Sequence, residues 1–165
     1  MILRRRLALL VLVPPALAAA PRPSHGQPGV SQPQPPLPTE TLVIETGRAE
    51  PLRFNVEMAL APEQQMIGLM FRPSVAPDGG MLFDWGAPRE SAMWMRNTIT
   101  SLDMLFIRAD GRIHRIAERT VPLSLATIES RGPVRATLEL AAGTAARLDI
   151  RPGDLVRQRI FGNAP

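Results

Sequence analysis

From about residue 40 to residue 163, apolar and polar side chains alternate with a period of two. This period is typical of β-strands with one buried face. The clearest runs are Leu52–Leu60 and Val134–Leu140. Asp110-Gly111 lies between two apolar runs, a pattern that indicates a hairpin turn between antiparallel strands. Further strands are predicted at residues 41–45, 81–83, 93–99, 126–129 and 154–160.

Two short helical segments interrupt the predicted strands. Pro62 suits the first position of a helix, and Met66 and Met70 follow at helical spacing on one face. Thr144 can cap a helical turn that ends before Pro152. The expected fold is therefore mainly β (α+β): a single compact β-barrel or sandwich with one or two short helices, formed by residues 40–163.

The N-terminus has the three parts of a secretory signal peptide. Arg4–Arg6 form a charged region, Leu7–Val13 form an apolar region, and Ala16–Ala18 supply a cleavage site. We therefore expect residues 1–18 to be removed after Ala18 and the protein to reach the periplasm or the exterior. The alternative is an uncleaved anchor, although the 14 residues Leu7–Ala20 reach only about 21 Å as a helix, against a hydrocarbon core of about 30 Å. No stable membrane span is expected after cleavage.

Residues 19–39 contain seven prolines and no aromatic residue. A segment of this composition buries too little apolar surface to offset its ordering entropy. We predict a disordered, Pro-rich linker between the signal peptide and the domain.

The composition excludes several classes of chemistry. The 165 residues include no Cys, Lys or Tyr, and all 19 basic residues are Arg. Disulfides, thiolate catalysis, Schiff-base enzymes and P-loop nucleotide sites are therefore excluded. His25 and His114 are too few for a centre with several histidine ligands, so we expect no metal and no cofactor. Without residues 1–18, 16 Arg face 15 acidic residues, a scattered net charge of +1 that does not favour nucleic-acid binding.

Four motifs, in order, resemble the prokaryotic family called domain of unknown function 192. They are Gly68–Arg72, Gly80–Phe83, Trp94–Thr98 with Leu102–Ile107, and Leu138–Thr144 with Gly153-Asp154. The resemblance spans about residues 42–157 and differs at Arg96, where the family usually has Lys. It implies a compact β-rich fold, often exported, and no established activity, so it assigns no catalytic residue.

The candidate binding site combines a ring, cations, an amide and a carboxylate. Trp94, Arg96, Asn97 and Asp103 lie within ten positions, and Arg72 precedes them in its own motif. If residues 93–99 form a strand, Trp94 and Arg96 share one face. That face could stack on and hydrogen bond a small polar ligand from the cell envelope, such as a glycan fragment. Alternatively, Trp94 belongs to the core and Arg96 pairs with an acid.

Two further interpretations involve other side chains. Asp103 and Glu139 could be the acid and base of a cell-envelope hydrolase, or each could pair with Arg72 or Arg96 at the barrel rim. Thioethers of Met93 and Met95, at positions i and i+2 of a strand, could bind Cu(I) in an oxidising compartment, or could fill the core. Ligand binding is favoured over catalysis.

Overall fold

The computed structural model describes residues 30–164. The predicted signal peptide and the first part of the predicted linker lie outside the described residues. The elements, in chain order, are β1 (Thr39–Glu45), β2 (Leu52–Ala59), α1 (Pro62–Ile67), β3 (Gly79–Met93), β4 (Leu102–Ile107), β5 (Ile113–Ala117), β6 (Ile128–Ala141), α2 (Thr144–Arg147), β7 (Leu155–Arg157) and a 3₁₀ turn at Arg159–Phe161.

The seven strands form one curled sheet in the order β5-β4-β6-β3-β2-β1-β7. Neighbouring strands are antiparallel except β2 and β3, which are parallel and are connected through α1. The sheet curls far enough for its edges to meet. Arg112, just before β5, forms a bridge with Leu155 of β7, and the amide of Val156 donates to the carbonyl of Gly111 at 2.8 Å. The predicted mainly β fold with short helices is confirmed.

The sheet is buried on both faces near its centre. One core cluster lies inside the curl and includes Leu42, Phe54 and Leu138. A second cluster covers the opposite face of β3, β4 and β6 and includes Met104 and Phe106. All six residues of β4 are consequently buried. The end of β6 is also buried on both faces, so the prediction of a half-buried strand over residues 134–140 is wrong for that end.

The strand predicted over residues 93–99 is wrong. β3 is a single strand of 15 residues that ends at Met93, with register shifts between Asp84 and Arg89 and between Glu90 and Ala92. The chain then turns, and the amide of Thr98 donates to the carbonyl of Met95 at 2.9 Å. Asn97 adopts a left-handed φ of 55° in this turn, a conformation that Asn tolerates better than most residues.

The two short helices occur where the sequence predicts them. α1 begins at Pro62, and the side-chain oxygen of Gln64 accepts the amides of Leu60 and Ala61 at 3.0 and 2.9 Å. Thr144 is the first residue of α2 rather than its cap, because Gly143 occupies the cap position with a φ of 81°. Within residues 30–164, no helix has the length and apolar character needed to cross a membrane.

The last part of the predicted disordered linker contacts the domain. The side-chain amide of Gln34 donates to the carbonyls of Gln64 and Gly68 at 3.1 and 2.9 Å, at the C-terminal end of α1. The backbone amide of Leu37 donates to the carboxylate of Glu57 at 2.7 Å, and the Leu37 side chain packs against the second core cluster. Residues 30–38 therefore differ from the prediction, since polar side chains and one leucine hold the extended chain in place.

Candidate functional site

A cavity of about 560 Å³ opens beside α1. Its walls are α1 and the residues that follow it, β3 from Phe83 onwards, the first residues after β3, and Glu139 of β6. The side chains that matter most for its chemistry are Phe83, Trp85, Arg89, Trp94 and Glu139. The volume falls in the range of about 300–1,000 Å³ that is typical of small-molecule sites.

Glu139 is a nearly buried acid in the lining of this cavity, with only 4% of its surface exposed. It lies in β6, directly across from Met81 of β3 and Met104 of β4, and both methionines belong to the second core cluster. Close approach of β3 and β6 at this point depends on Gly80, because a β-carbon there would overlap the backbone carbonyl of Glu139. The sheet thus places a carboxyl group among apolar side chains.

The Glu139 carboxyl group is uncompensated within the described part of the chain. No cation pairs with it, no described group donates a hydrogen bond to it, and burial alone raises its pKa to about 8. The group is therefore mainly protonated at neutral pH, so it can both donate and accept a hydrogen bond. A carboxyl group with a perturbed pKa in a cavity marks a candidate functional site.

Aromatic rings form one wall of the cavity. The rings of Phe83 and Trp85 stack with their centroids 5.7 Å apart, and the indole nitrogen of Trp85 donates to the hydroxyl of Thr137 at 3.2 Å. The guanidinium of Arg89 lies 4.5 Å from the centroid of the Trp85 ring. This wall is therefore fixed by packing and by a cation–π contact before any ligand arrives.

Trp94 lies at the rim of the cavity with almost half of its surface exposed. The guanidinium of Arg96 lies 5.5 Å from the centroid of its ring, and Arg96 itself is exposed. Of the predicted ligand-binding residues, Trp94 lines the cavity and Arg96 reaches it through this contact. The alternatives in which Trp94 is a core residue and Arg96 pairs with an acid are wrong for the described residues.

The opposite wall depends on α1 and on the glycine that ends it. Gly68 has a φ of 53°, and a β-carbon there would lie 3.0 Å from the ring of Phe83. The side-chain amide of Gln65 donates to the carbonyl of Asp84 at 2.7 Å, which ties α1 to β3 across the cavity. Glycine in the first motif thus lets the chain pass close to the aromatic wall.

Asp103 has a structural role and does not line the cavity. It is fully buried, and its carboxylate accepts three backbone amides: those of Arg119, Gly143 and Ala145 at 2.9, 3.0 and 2.9 Å. Pairing of Asp103 with Arg72 or Arg96 is therefore wrong. The same amides occupy the carboxylate, so it is unsuited to act with Glu139 as an acid/base pair.

Arg72 and Asn97 also lie outside the cavity lining. Arg72 forms a two-pronged ion pair with Glu57, at 2.5 and 2.9 Å, and so does not pair with Asp103 or Glu139. The backbone carbonyl of Asn97 accepts the amide of Phe71 at 2.8 Å, and its side-chain amide lies 3.9 Å from the sulfur of Met70. Arg72 and Asn97 therefore hold the segment after α1 in place through contacts outside the cavity.

Met93 and Met95 occupy different environments. Met93 lines the cavity at the end of β3, whereas Met95 is fully buried in the second core cluster. Because no strand continues through residues 93–99, the reason to place both thioethers on one face no longer holds. Within residues 30–164, no cluster of three or more His, Asp or Glu side chains could hold a metal ion.

Trp85 and Arg89 line the cavity although the sequence did not predict them as site residues, and Glu139 has surroundings different from those predicted. The period of two placed Glu139 on the polar side of β6, but the second core cluster covers that side. One signal was available: Glu139 is the only charged residue between Arg135 and Arg147. An acid isolated in such a run is a candidate for burial.

The sequence matches the model of one protein family. The match to DUF192, uncharacterized ACR, covers residues 43–158. This range is well over half of the chain and contains every strand from β2 to β7. The chain belongs to the DUF192 family, as its four motifs predict.

Solved structures with the same fold are known from two bacteria. One is a protein of Sinorhizobium meliloti 1021 called a "putative transcription regulator", with 45% identity, a TM-score of 0.74, and coverage of 77% of this chain and 98% of that one. The other is a protein of unknown function from Novosphingobium aromaticivorans DSM 12444, with 35% identity, a TM-score of 0.71, and coverage of 87% and 94%. No curated protein matches the sequence.

Proposed function

We propose that this chain is an exported protein that binds a small polar ligand from the cell envelope, of the glycan type, in the cavity beside α1. The observation that carries the proposal is the Glu139 carboxyl group, which lines the cavity without a partner among the described residues. Burial of this group costs free energy because little water reaches it, although its oxygens are not among the fully buried side-chain atoms that lack a partner. A hydroxyl group of a bound ligand would remove that cost.

The rim supports a ligand that has both an apolar face and hydroxyl groups. The exposed ring of Trp94 offers a surface on which a sugar ring can stack, and the guanidinium groups of Arg89 and Arg96 lie close by as hydrogen-bond donors. Neutral Glu139 can donate to one hydroxyl and accept from another. Small-molecule sites are usually lined by apolar and aromatic side chains with a small number of polar groups, and this cavity has a lining of that kind.

The test is a thermal-shift screen of the purified protein against sugars, glycan fragments and other small polar metabolites. A ligand at about 100 times its dissociation constant stabilises the folded state by about 2.7 kcal/mol, which raises the melting temperature by several degrees. Any compound that gives this shift is then measured by calorimetry with Glu139→Gln and Trp94→Ala. We expect each substitution to weaken binding by at least tenfold.

Glu63→Gln is the matched control, because Glu63 is an exposed acid of α1 that does not line the cavity. It should bind as the unmodified protein does. The proposal fails if no such compound stabilises the protein. It also fails if a compound binds equally well to the Glu139→Gln and Trp94→Ala variants.

A hydrolase remains the second candidate, on one observation. A protonated glutamic acid at neutral pH is the form required of a general acid in glycoside cleavage. Asp103 does not supply the second carboxylate, but Glu90 also lines the cavity. Release of reducing sugar from a glycan that binds, lost in both Glu139→Gln and Glu90→Gln, would establish the enzyme in place of the binding protein.

Direct contact with DNA has less support, whatever the name of the Sinorhizobium relative. Residues 30–164 contain 15 Arg and 15 acidic residues, a net charge of zero. Several of these arginines are paired with acids, Arg72 and Arg48 among them. A nucleic-acid interface requires a concentration of unpaired positive charge on one face.

A further inference from the structure

A set of apolar side chains projects into solvent from two neighbouring segments, residues 94–99 and 120–125. We call this surface the apolar face. Its members, with the exposed fraction of each, are Trp94 47%, Ile99 47%, Val121 69%, Leu123 58% and Leu125 69%. Single exposed leucines are common on protein surfaces, but five large apolar side chains on two adjoining segments indicate an interaction site.

Backbone hydrogen bonds hold the two segments side by side. The amide of Leu123 donates to the carbonyl of Thr98, and the amide of Met95 donates to the carbonyl of Ser124, both at 3.0 Å. At the base of the loop, the buried hydroxyl of Thr120 accepts the amide of Leu102 at 3.0 Å. The apolar side chains are therefore presented from a fixed platform, so little order has to be gained when a partner binds.

The backbone at Leu123 indicates that its side chain has a use. Leu123 has a φ of 61°, in the left-handed region where glycine and asparagine are the favoured residues. A leucine there costs free energy and, being exposed, recovers little of it by packing. Stability alone would select a different residue at this position.

The charges around the apolar face are mainly positive. Residues 94–102 and 119–128 contain Arg96 and Arg119 and no acidic residue. Both arginines are exposed, and neither forms an ion pair within the described residues. Glu118 and Glu129 lie just outside these segments in sequence and line a pocket beside Val121, but three arginines line the same pocket: Arg115, Arg119 and Arg131. The complementary partner is therefore anionic, and a symmetric dimer through this face would bring the arginines of two copies together.

We propose that the apolar face docks on the surface of an anionic lipid bilayer. Val121, Leu123 and Leu125 would enter the interfacial region, as the apolar tips of peripheral proteins do. Trp94 would lie at the depth of the headgroups, where indole rings are enriched, and Arg96 and Arg119 would contact lipid phosphates. Docking would hold the cavity, whose rim includes Trp94, close to the envelope. This inference does not depend on what the cavity binds.

The test uses the full chain and measures contact at Trp94 itself, so that any binding through the N-terminal apolar segment does not interfere. Vesicles of phosphatidylcholine with a minority of phosphatidylglycerol carry a brominated lipid that quenches tryptophan on contact. We expect quenching that is strong with these vesicles, weak with phosphatidylcholine alone, and reduced by salt. Trp94→Phe reports the background from Trp85 and should show little quenching.

Leu123→Asn is the decisive variant, because it removes an apolar tip while suiting the left-handed backbone. Its melting temperature should equal or exceed that of the unmodified protein, and quenching of Trp94 should fall severalfold. Replacing Val121, Leu123 and Leu125 together with Ser should abolish it. Leu60→Ser is the control, since the Leu60 side chain is also about half exposed, at 47%, but lies outside the apolar face.

Three results would overturn the proposal. The first is absence of quenching with anionic vesicles, which would indicate that the partner of the apolar face is an acidic protein. The second is quenching that is unchanged in the triple variant. The third is quenching that is equal with neutral and anionic vesicles and insensitive to salt, because the arginines would then have no role.

Discussion

The carboxylate of Asp103 in β4 accepts the backbone amide of Ala145 at 2.9 Å, across 42 positions of sequence. The same group accepts the amide of Gly143, so it caps α2 in the way that a neighbouring Ser or Asp caps most helices. A third amide, from Arg119, connects it to the loop before β6. One buried carboxylate therefore joins three parts of the domain.

Replacing Asp103 should destabilise the domain without affecting the cavity. In Asp103→Asn, the side-chain amide would face backbone donors and the charge would be lost, so we expect the free energy of unfolding to fall by about 2–4 kcal/mol. Asp78→Asn, at an exposed loop position, should change it little. Urea denaturation measures both. A stable Asp103→Asn variant that has lost ligand binding would instead return Asp103 to the binding site.

Glu139 should make the protein less stable in mild alkali. Its pKa is raised to about 8 in the folded protein, against an ordinary value of 4.5, so the folded state holds a proton that the unfolded chain releases. The stabilisation from this proton is complete below about pH 4.5 and is lost as the pH rises through 8. Glu139→Gln should remove this part of the pH dependence. Parallel pH profiles for the two proteins in denaturation experiments would contradict the assignment.

Arg72 and Arg96 provide a matched pair for stability. Arg72 shares a mostly buried ion pair with Glu57, which also accepts the amide of Leu37, so Arg72→Met should lower the free energy of unfolding by about 3 kcal/mol. Arg96 is exposed and makes a cation–π contact with the ring of Trp94. Arg96→Met should therefore have nearly the same free energy of unfolding as the unmodified protein. A larger loss of stability in Arg96→Met than in Arg72→Met would mean that Arg96, and not Arg72, is the arginine in the buried ion pair.

The N-terminus gives a prediction that lies outside the described residues. Arg4–Arg6, the apolar run that follows and the Ala16–Ala18 site predict export with cleavage after Ala18. N-terminal sequencing of the protein from the periplasm or medium should begin at Ala19 or within a few residues of it. An intact chain that starts at Met1 and remains in the cytosol would exclude this prediction.

Local signals predicted the elements that depend on local chemistry. Asp110-Gly111 forms the turn between β4 and β5 as expected, with Gly111 at a φ of 83°. Pro62 begins α1. The prediction of a strand over residues 93–99 is wrong because the chain turns at Asn97. A turn that packs on a core can contain as many apolar residues as a strand does, so composition does not distinguish the two.

The candidate site was harder to predict, because it is formed by contacts between distant residues that the alternation of apolar and polar side chains does not reveal. Trp94 was recognised because it lies in a family motif beside a cation and an amide, and the structure shows that its ring is exposed. Glu139 was misplaced because a period of two assumes that one face of the strand meets water, and here a second core cluster covers that face. The sequence suggested a functional role for Asp103 because its three partners are backbone amides. Almost every residue has such an amide, so the sequence does not show which of them bind the carboxylate.

The pairing of β1 with β7 governs when this protein can fold. β1 is the first strand of the domain, yet one of its two edges is completed by Leu155–Arg157 of β7, the last strand. The bridge that joins the sheet edges also requires Leu155. The sheet therefore cannot close until residues 155–157 have been made, and its closure depends on contacts between residues far apart in the sequence, which form slowly. Until residues 155–157 pair with it, β1 leaves one strand edge open, and an open edge can pair with another copy of the chain.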